Sequence, residues 1–246
     1  MMRDFLGMFD ERKPIIGMIH CKGTNREDTL ARAKREIDIY VQGGLDGCIV
    51  ETYFGTLSNV VDVLSYLKEA HLPLVYGVNV LNVDAIGFEM ARRYDCAFVQ
   101  LDSVVGHVKP RDEESLAAFL EMERKSCNAA VMGGVRFKYQ PVLSENTEEE
   151  DLHIAMGRCD AVAVTQNATG QETSMEKIER FRGALGDFPL FVTAGVTAEH
   201  AATQLSVCDG AVVGSYLKDT YTDSGDVSPE HVDKLMDAVR AFRAEL

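Results

Sequence analysis

Eight short apolar runs recur along this 246-residue chain, with helix-patterned segments between them, and that alternation narrows the possible folds more than any other feature. The runs cover residues 15–19, 47–50, 74–78, 97–101, 130–137, 161–164, 190–193 and 211–213. Several are rich in Val and Ile and are apolar at odd and even positions alike. A strand with one wet face alternates, whereas a strand covered on both faces does not. The spacers carry the helical period. Residues 29–42 place Leu30, Ala33, Ile37 and Val41 on one face, and residues 57–70 place Val60, Val61, Leu64 and Leu67 together. Residues 85–94, 115–126, 175–185 and 229–246 read likewise. Strand and helix in alternation, eight times and with no break in composition, predict parallel βα units closed into one (β/α)8 barrel, a TIM barrel. The domain spans residues 1–246, its core starting near residue 13 after an N-terminal extension of residues 1–12. An open doubly wound sheet fits less well, since no G-x-G-x-x-G turn follows the first strand. The run Gly43-Gly44-Leu45-Asp46-Gly47 reads as a helix stop and loop.

Composition excludes several function classes. The formal net charge is −14 and the sequence pI about 4.8, with no basic stripe, so nucleic acid is not an expected partner. No apolar run approaches the ~20 residues that span a bilayer, and residues 1–10 carry acids where a signal peptide would be apolar. A cytoplasmic protein without direct membrane insertion is expected. The cysteines Cys21, Cys48, Cys96, Cys127, Cys159 and Cys208 are scattered with no C-x-x-C pair, and read as small buried hydrophobes in a reducing compartment. Cys21 alone adjoins a candidate site residue. The acidic stretch 145–151 suits a loop and a helix N-terminus, and Asp84 suits the N-cap of the 85–94 helix. His107, His153, His200 and His231 read as surface residues.

In a barrel of this kind the chemistry gathers at the C-terminal ends of the strands. Those ends read His20, Glu51, Asn79, Asp102, Lys138, then Thr165-Gln166-Asn167, and finally two glycine motifs. The motifs are Phe191-Val192-Thr193-Ala194-Gly195-Val196 and Asp209-Gly210-Ala211-Val212-Val213-Gly214-Ser215. Strands seven and eight that stop at glycine expose backbone N–H groups, so Gly195, Val196, Gly214 and Ser215 are the expected phosphate site. Glu51, Asp102, Lys138 and His20 are the candidate catalytic residues. Carboxylates and an imidazole serve as general acid and base, and an ammonium stabilises developing negative charge. Neighbouring carboxylates keep Lys138 an ammonium, which disfavours Schiff-base chemistry. Asn79, Arg136, Thr165, Asn167, Thr169 and Gly170 are the expected substrate contacts, with Arg136 on the face of strand five that carries Lys138. Glu51 could equally form an ion pair with Arg136 or Lys138 inside the barrel. No motif names a cofactor and none has metal-ligand spacing. A divalent metal on Glu51 and Asp102 stays open, because Mg²⁺ needs only one or two carboxylates. A homo-oligomer stays open too.

In series, several segments resemble the BtpA family, also called BtpA/SgcQ. They are Lys13-Pro14-Ile15-Ile16-Gly17-Met18-Ile19-His20, the 43–51 segment ending in Glu51, Gly77-Val78-Asn79-Val80-Leu81-Asn82, Phe137-Lys138 before Pro141-Val142-Leu143, and Ala168-Thr169-Gly170. Val213-Gly214-Ser215-Tyr216-Leu217-Lys218 before Asp226 completes the series. The resemblance covers roughly residues 13 to 246 and implies a ribulose-phosphate-binding type of barrel. Three loops depart from the family pattern, at 21–26, 100–112 and 171–173, and such loops shape a substrate pocket. The leading functional expectation is an enzyme acting on a small phosphorylated metabolite, a sugar phosphate or phosphoribosyl-type compound, by acid/base chemistry of the lyase, isomerase or aldolase kind. The resemblance also implies an alternative, a non-enzymatic factor in the biogenesis or stability of a membrane complex. A phosphoribosylanthranilate isomerase-like activity is a third, by fold kinship alone.

Overall fold

A computed structural model describes residues 2–105 and 113–246; His107 and the 106–112 part of the fourth βα loop lie outside them. Eight parallel strands close into a ring in sequence order. They are β1 (Ile15–Ile19), β2 (Gly47–Glu51), β3 (Val75–Asn79), β4 (Phe98–Val105), β5 (Ala130–Val135), β6 (Ala161–Val164), β7 (Leu190–Val192) and β8 (Gly210–Val213). The helices are α1 (Arg26–Gly43), α2 (Leu57–Ala70), α3 (Asp84–Tyr94), α4 (Glu113–Ser126), α5 (Glu148–Met156), α6 (Met175–Leu185), α7 (Ala201–Val207) and α8 (Pro229–Arg243). Closure is made by Ile15, Ile16 and Gly17 of β1 pairing with Ala211, Val212 and Val213 of β8. The doubly apolar strands are therefore explained. One face packs on the helices, and the other fills the barrel with Ile16, Met18, Ile49, Phe98, Met132, Ala161, Ala163, Phe191 and Val212.

Local chemistry sets several boundaries. Gly44, at φ +79°, stops α1 in the left-handed conformation that glycine adopts without a Cβ penalty. Thr147 and Glu150 form a capping box at the start of α5, and the acidic run supplies its first turn. Asp84 opens α3 from inside the helix, with Val83 at the N-cap. All six cysteines are buried and free.

Two features depart from the sequence reading. First, β4 runs on to Val105, with a register shift against β5 between Leu101 and Val105. A Cβ on Gly134 would sit 2.2 Å from the Asp102 carbonyl oxygen, so glycine in β5 is what admits the irregular neighbour. Second, the N-terminal segment is part of the core. Its 3₁₀ turn at Leu6–Met8 is flanked by Phe5 and Phe9, both buried inside the barrel. Phe5 meets Phe98 and Phe191 edge-on at 5.4 and 5.2 Å between ring centroids. Outside this plug, the Arg3 backbone N–H donates to the fully buried Asp160, which also receives both terminal nitrogens of Arg124 and the Val131 N–H. Phe5 is 1 % exposed, so Phe5→Ala should lower the free energy of unfolding by about 3–5 kcal/mol, the usual loss for a buried Phe. Urea unfolding measures it, and a loss under about 0.5 kcal/mol, surface-like, would show the plug to be dispensable.

Candidate active site

Because the strands are parallel and in register, their C-terminal ends form one rim. Glu51 is the register partner of Asn79 across β2 and β3. The Asn79 side-chain amide donates to Glu51 Oε1 at 3.0 Å and to Asp102 Oδ1 at 3.1 Å. One amide nitrogen thus bridges two carboxylates at the floor of the mouth. Burial, reinforced by the Asp102 charge, pushes Glu51 up to about 8 against the opposing pull of Lys138 and Asn79. Burial also raises Asp102, again opposed by Asn79 and Lys138. Burial thus raises both carboxyls, and Glu51, pushed up to about 8, keeps its proton at neutral pH.

His20 follows β1, is 6 % exposed, and stacks on Tyr53 at 4.8 Å between centroids. Its Nδ1 donates to the Asp223 carbonyl at 3.3 Å, and its Nε2 lies 3.8 Å from Glu51 Oε2. Burial, then the Lys218 ammonium, pushes the imidazole down to about 4, so the ring stays neutral with Nε2 as an acceptor. Lys138 stands beyond the end of β5. Its backbone N–H donates to the Thr165 hydroxyl at 2.7 Å, and its side chain lines the mouth. No carboxylate among the described residues is within ion-pair distance of it, so its charge acts on Glu51, Asp102 and His20 through space.

These groups share a cavity of about 330 Å³. Its lining includes His20, Glu51, Gln100, Asp102 and Lys138 together with Thr169, Gly170, Gly195, Val196, Gly214 and Ser215. Asn79 supports the floor from 2 % exposure. The N–H groups of Gly195 and Val196 find no acceptor among the described residues, as an anion site requires. The two glycines differ, however. Gly195 has φ +67°, and a Cβ there would fall 2.2 Å from Glu172 Cα, so the fold itself demands glycine. A Cβ on Gly214 would meet only ordinary contacts, 3.5 Å from Met18 and 3.7 Å from His20.

Three expected substrate contacts lie elsewhere. β5 ends at Val135, so the two-residue repeat does not carry Arg136 to the face of Lys138. Arg136 has φ +48° and points outward, its Nε donating to Asp151 at 3.0 Å and Nη2 to the Asn146 carbonyl at 2.6 Å. It is therefore not the lumen partner of Glu51. Thr165 is fully buried in the wall and holds Lys138 in place. Asn167 faces an outer cleft. Cys21 is buried and lines no part of the cavity. The structure also adds residues. Gln100 is 5 % exposed on β4, two positions before Asp102, and its side-chain oxygen has no partner among the described residues. Tyr53 follows Glu51 by two positions and donates to Asp223 at 2.8 Å. The shared parity of Gln100 with Asp102 is the signal that could have found it. Nothing in the sequence places Asp223 over His20. Among the described residues no group of three or more His, Cys, Asp and Glu side chains converges as a metal site. The amide nitrogen of Asn79, a donor, sits between the two carboxylates.

Eight parallel strands closed in sequence order, with eight helices around them and polar side chains gathered at the C-terminal rim, define the class: a (β/α)8 barrel. Within that class, the model of the BtpA family matches residues 11–241, and the chain belongs to the BtpA family. An uncharacterized protein of Archaeoglobus fulgidus is 26% identical over 249 residues, covering 93% of this chain and 99% of its own length. The photosystem I biogenesis protein BtpA of Synechocystis is 24% identical, covering 96% and 91%. Among solved structures, thiamine phosphate pyrophosphorylase from Pyrococcus furiosus superposes with a TM-score of 0.63 at 14% identity, covering 94% of this chain and 96% of its own. That last likeness concerns the fold. No helix among the described residues is long and apolar enough to cross a membrane.

The raised Glu51 carboxyl has a consequence for stability. From its ordinary 4.5 up to about 8, the folded protein holds a proton that the unfolded chain has lost. Stability must therefore fall as pH rises through that window. His20 acts in the opposite sense only below about 6.5, where the folded imidazole resists protonation. Between pH 6.5 and 8 the Glu51 effect stands apart; above that, the buried thiols of Cys21, Cys48, Cys96, Cys159 and Cys208, pushed up by burial, add a decline of the same sign that parent and variant share. Glu51→Gln, which cannot ionise, should flatten the decline and melt above the parent at pH 9 by roughly 2–4 °C, the shift about 1 kcal/mol produces in a chain this size. Parallel melting curves at every pH would place an ionised Glu51 in the native protein.

Proposed function

We propose that this protein is an enzyme that moves a proton next to a carbonyl in a small phosphorylated metabolite, a sugar phosphate or phosphoribosyl-type compound. The observation that carries this reading is the Asn79-bridged pair of buried carboxylates sharing with Lys138 a cavity that unpaired backbone amides also line. Two adjoining carboxyls, one holding a proton and one without, supply acid and base at one pH. Asp102, ionised, removes the proton from carbon. Glu51, protonated, delivers its proton to the carbonyl oxygen. The Lys138 ammonium stabilises the negative charge that grows on that oxygen between the two steps. The phosphate rests on the N–H groups of Gly195, Val196 and Ser215, with Thr169 and Gly170 above it. His20, neutral, accepts a substrate hydroxyl at Nε2. Isomerisation follows if the proton returns to the neighbouring carbon, and C–C or C–O cleavage follows if a bond breaks first. The likeness in fold to thiamine phosphate pyrophosphorylase, named for a phosphate compound, supports the substrate class, as does the position of the glycine motifs.

Exchange with solvent reports proton removal from carbon whatever the product. Incubation in D₂O with a panel of sugar phosphates and phosphoribosyl compounds should exchange one carbon-bound proton in the true substrate, read by proton NMR. Asp102→Asn and Glu51→Gln should each slow exchange roughly 10²–10⁴-fold, the usual contribution of a positioned acid or base. Activity should fall as pH rises past the Glu51 ionisation near 8. Lys138 holds that ionisation down, so Lys138→Met should move the alkaline limb upward while lowering the rate. Exchange at the parent rate in Glu51→Gln, or an alkaline limb that moves downward in Lys138→Met, would overturn the assignment.

A further inference from the structure

Behind the segment 137–140, on the side away from the carboxylates, lies a second cleft of about 510 Å³ between the loops after β5 and β6. Its walls bring together Arg136, Lys138, Lys177 and Arg180 against a single carboxylate, Glu148. In a chain of net charge −14 that balance is unusual. The arginines are spoken for: Arg136 binds the buried Asp151, and Arg180 binds Glu148 at 3.1 Å and Glu176 at 3.0 Å. The lysines are not. Lys177 donates to the Thr165 carbonyl at 2.6 Å and reaches the Arg136 carbonyl at 3.5 Å, and neither it nor Lys138 meets a carboxylate among the described residues. Lys177 is half-buried, and burial pushes its ammonium below the ordinary value. Two ammonium groups with no carboxylate in contact are thus held at the wall of one cavity, with the side chains of Gln166 and Asn167 beside them.

We infer that this cleft is a second oxyanion site, taking a phosphate or carboxylate group of a small metabolite on Lys177, Lys138 and Arg180. An anion there supplies the counter-charge that the protein withholds, and Arg180 can turn one face of its guanidinium from Glu148 to the ligand. The hydrogen bond from the Thr169 N–H to the Tyr139 phenol, 2.9 Å, ties the two loops together between this cleft and the mouth. Lys138 lines both. The site stands apart from the phosphate cradle on β7 and β8, and its existence does not depend on the chemistry proposed for the mouth.

Titration of ¹⁵N-labelled protein with inorganic phosphate, at ionic strength held constant with chloride, separates the two sites by their amides. Gly195, Gly214 and Ser215 report the cradle; Asn167, Ala168 and Lys177 report the outer cleft. Saturable shifts at the second group, weakened at least tenfold in Arg180→Met with the first group unchanged, are the expected result. Arg180 is exposed, so that variant leaves the fold intact. Shifts in the first group only would overturn this inference and leave the proposed function standing. Shifts in the second only would do the reverse. Outer shifts that survive Arg180→Met unaltered would also overturn it. With a sugar bisphosphate as the probe, one common isotherm for both groups identifies a single molecule spanning the sites, and two isotherms identify separate ligands.

Discussion

Two carboxylates buried side by side repel each other, and in this barrel the Asn79 amide stands between them. Neither Glu51 nor Asp102 has a lysine or arginine within ion-pair distance among the described residues, and the His20 ring 3.8 Å from Glu51 is neutral. Without Asn79 the pair would have only the distant field of Lys138 to hold it. An amide that donates both of its protons to two acids keeps them close without neutralising either. Its two hydrogen bonds lower the proton affinity of both acids, against the burial that raises them. The register makes this possible: β2 and β3 run level, so Glu51 and Asn79 leave the sheet at the same height, and β4 presents Asp102 from the other side.

The proposed anionic ligand has to be reconciled with an acidic protein. The long-range field is negative, but a small ligand in a cavity responds to what lies within a few ångströms. There the cavity offers the unpaired N–H groups of Gly195 and Val196 and the Lys138 ammonium. Loop eight shields the arrangement. Lys218 is buried on Glu36 at 3.0 Å, its strand-like contact with Val227 folds the loop back, and the Asp223 carbonyl takes the His20 proton. Lys218 in turn helps to keep His20 neutral. The buried ion pair behind the site and the uncharged imidazole in it are parts of one electrostatic arrangement.

The fold is legible in the sequence because a closed parallel ring leaves an unusual pattern, apolar on both parities and repeated eight times. His20, Glu51, Asn79 and Asp102 are legible for the same reason, since each is the first polar residue after such a run. Parity fails where the strand stops. It carries Arg136 to the cavity, but β5 has already ended at Val135 and the chain has turned through a left-handed residue. Thr165 reads as a ligand contact because a small polar residue at a strand end usually faces solvent, yet its hydroxyl is consumed by the Lys138 backbone. The aromatic plug is invisible for another reason. Phe5 and Phe9 sit in a short turn with neither helical nor strand period, so nothing local announces that they enter the barrel.

The glycine pair in β5 connects the fold to the site. Gly133 and Gly134 offer a strand no side chain to pack and cost it conformational entropy, so by propensity they are misplaced. Across from them β4 loses register just after Leu101 and crowds its Asp102 carbonyl against Gly134. A regular β4 beside a β-branched residue at 134 would pack better and hold the sheet more firmly. It would also push the Asp102 backbone away from β5, and with it the carboxylate that Asn79 grips from β3. The sheet gives up regular pairing at the point where the irregularity sets the Asp102 carboxylate, while the aromatic plug and the Asp160 network order the opposite end of the barrel.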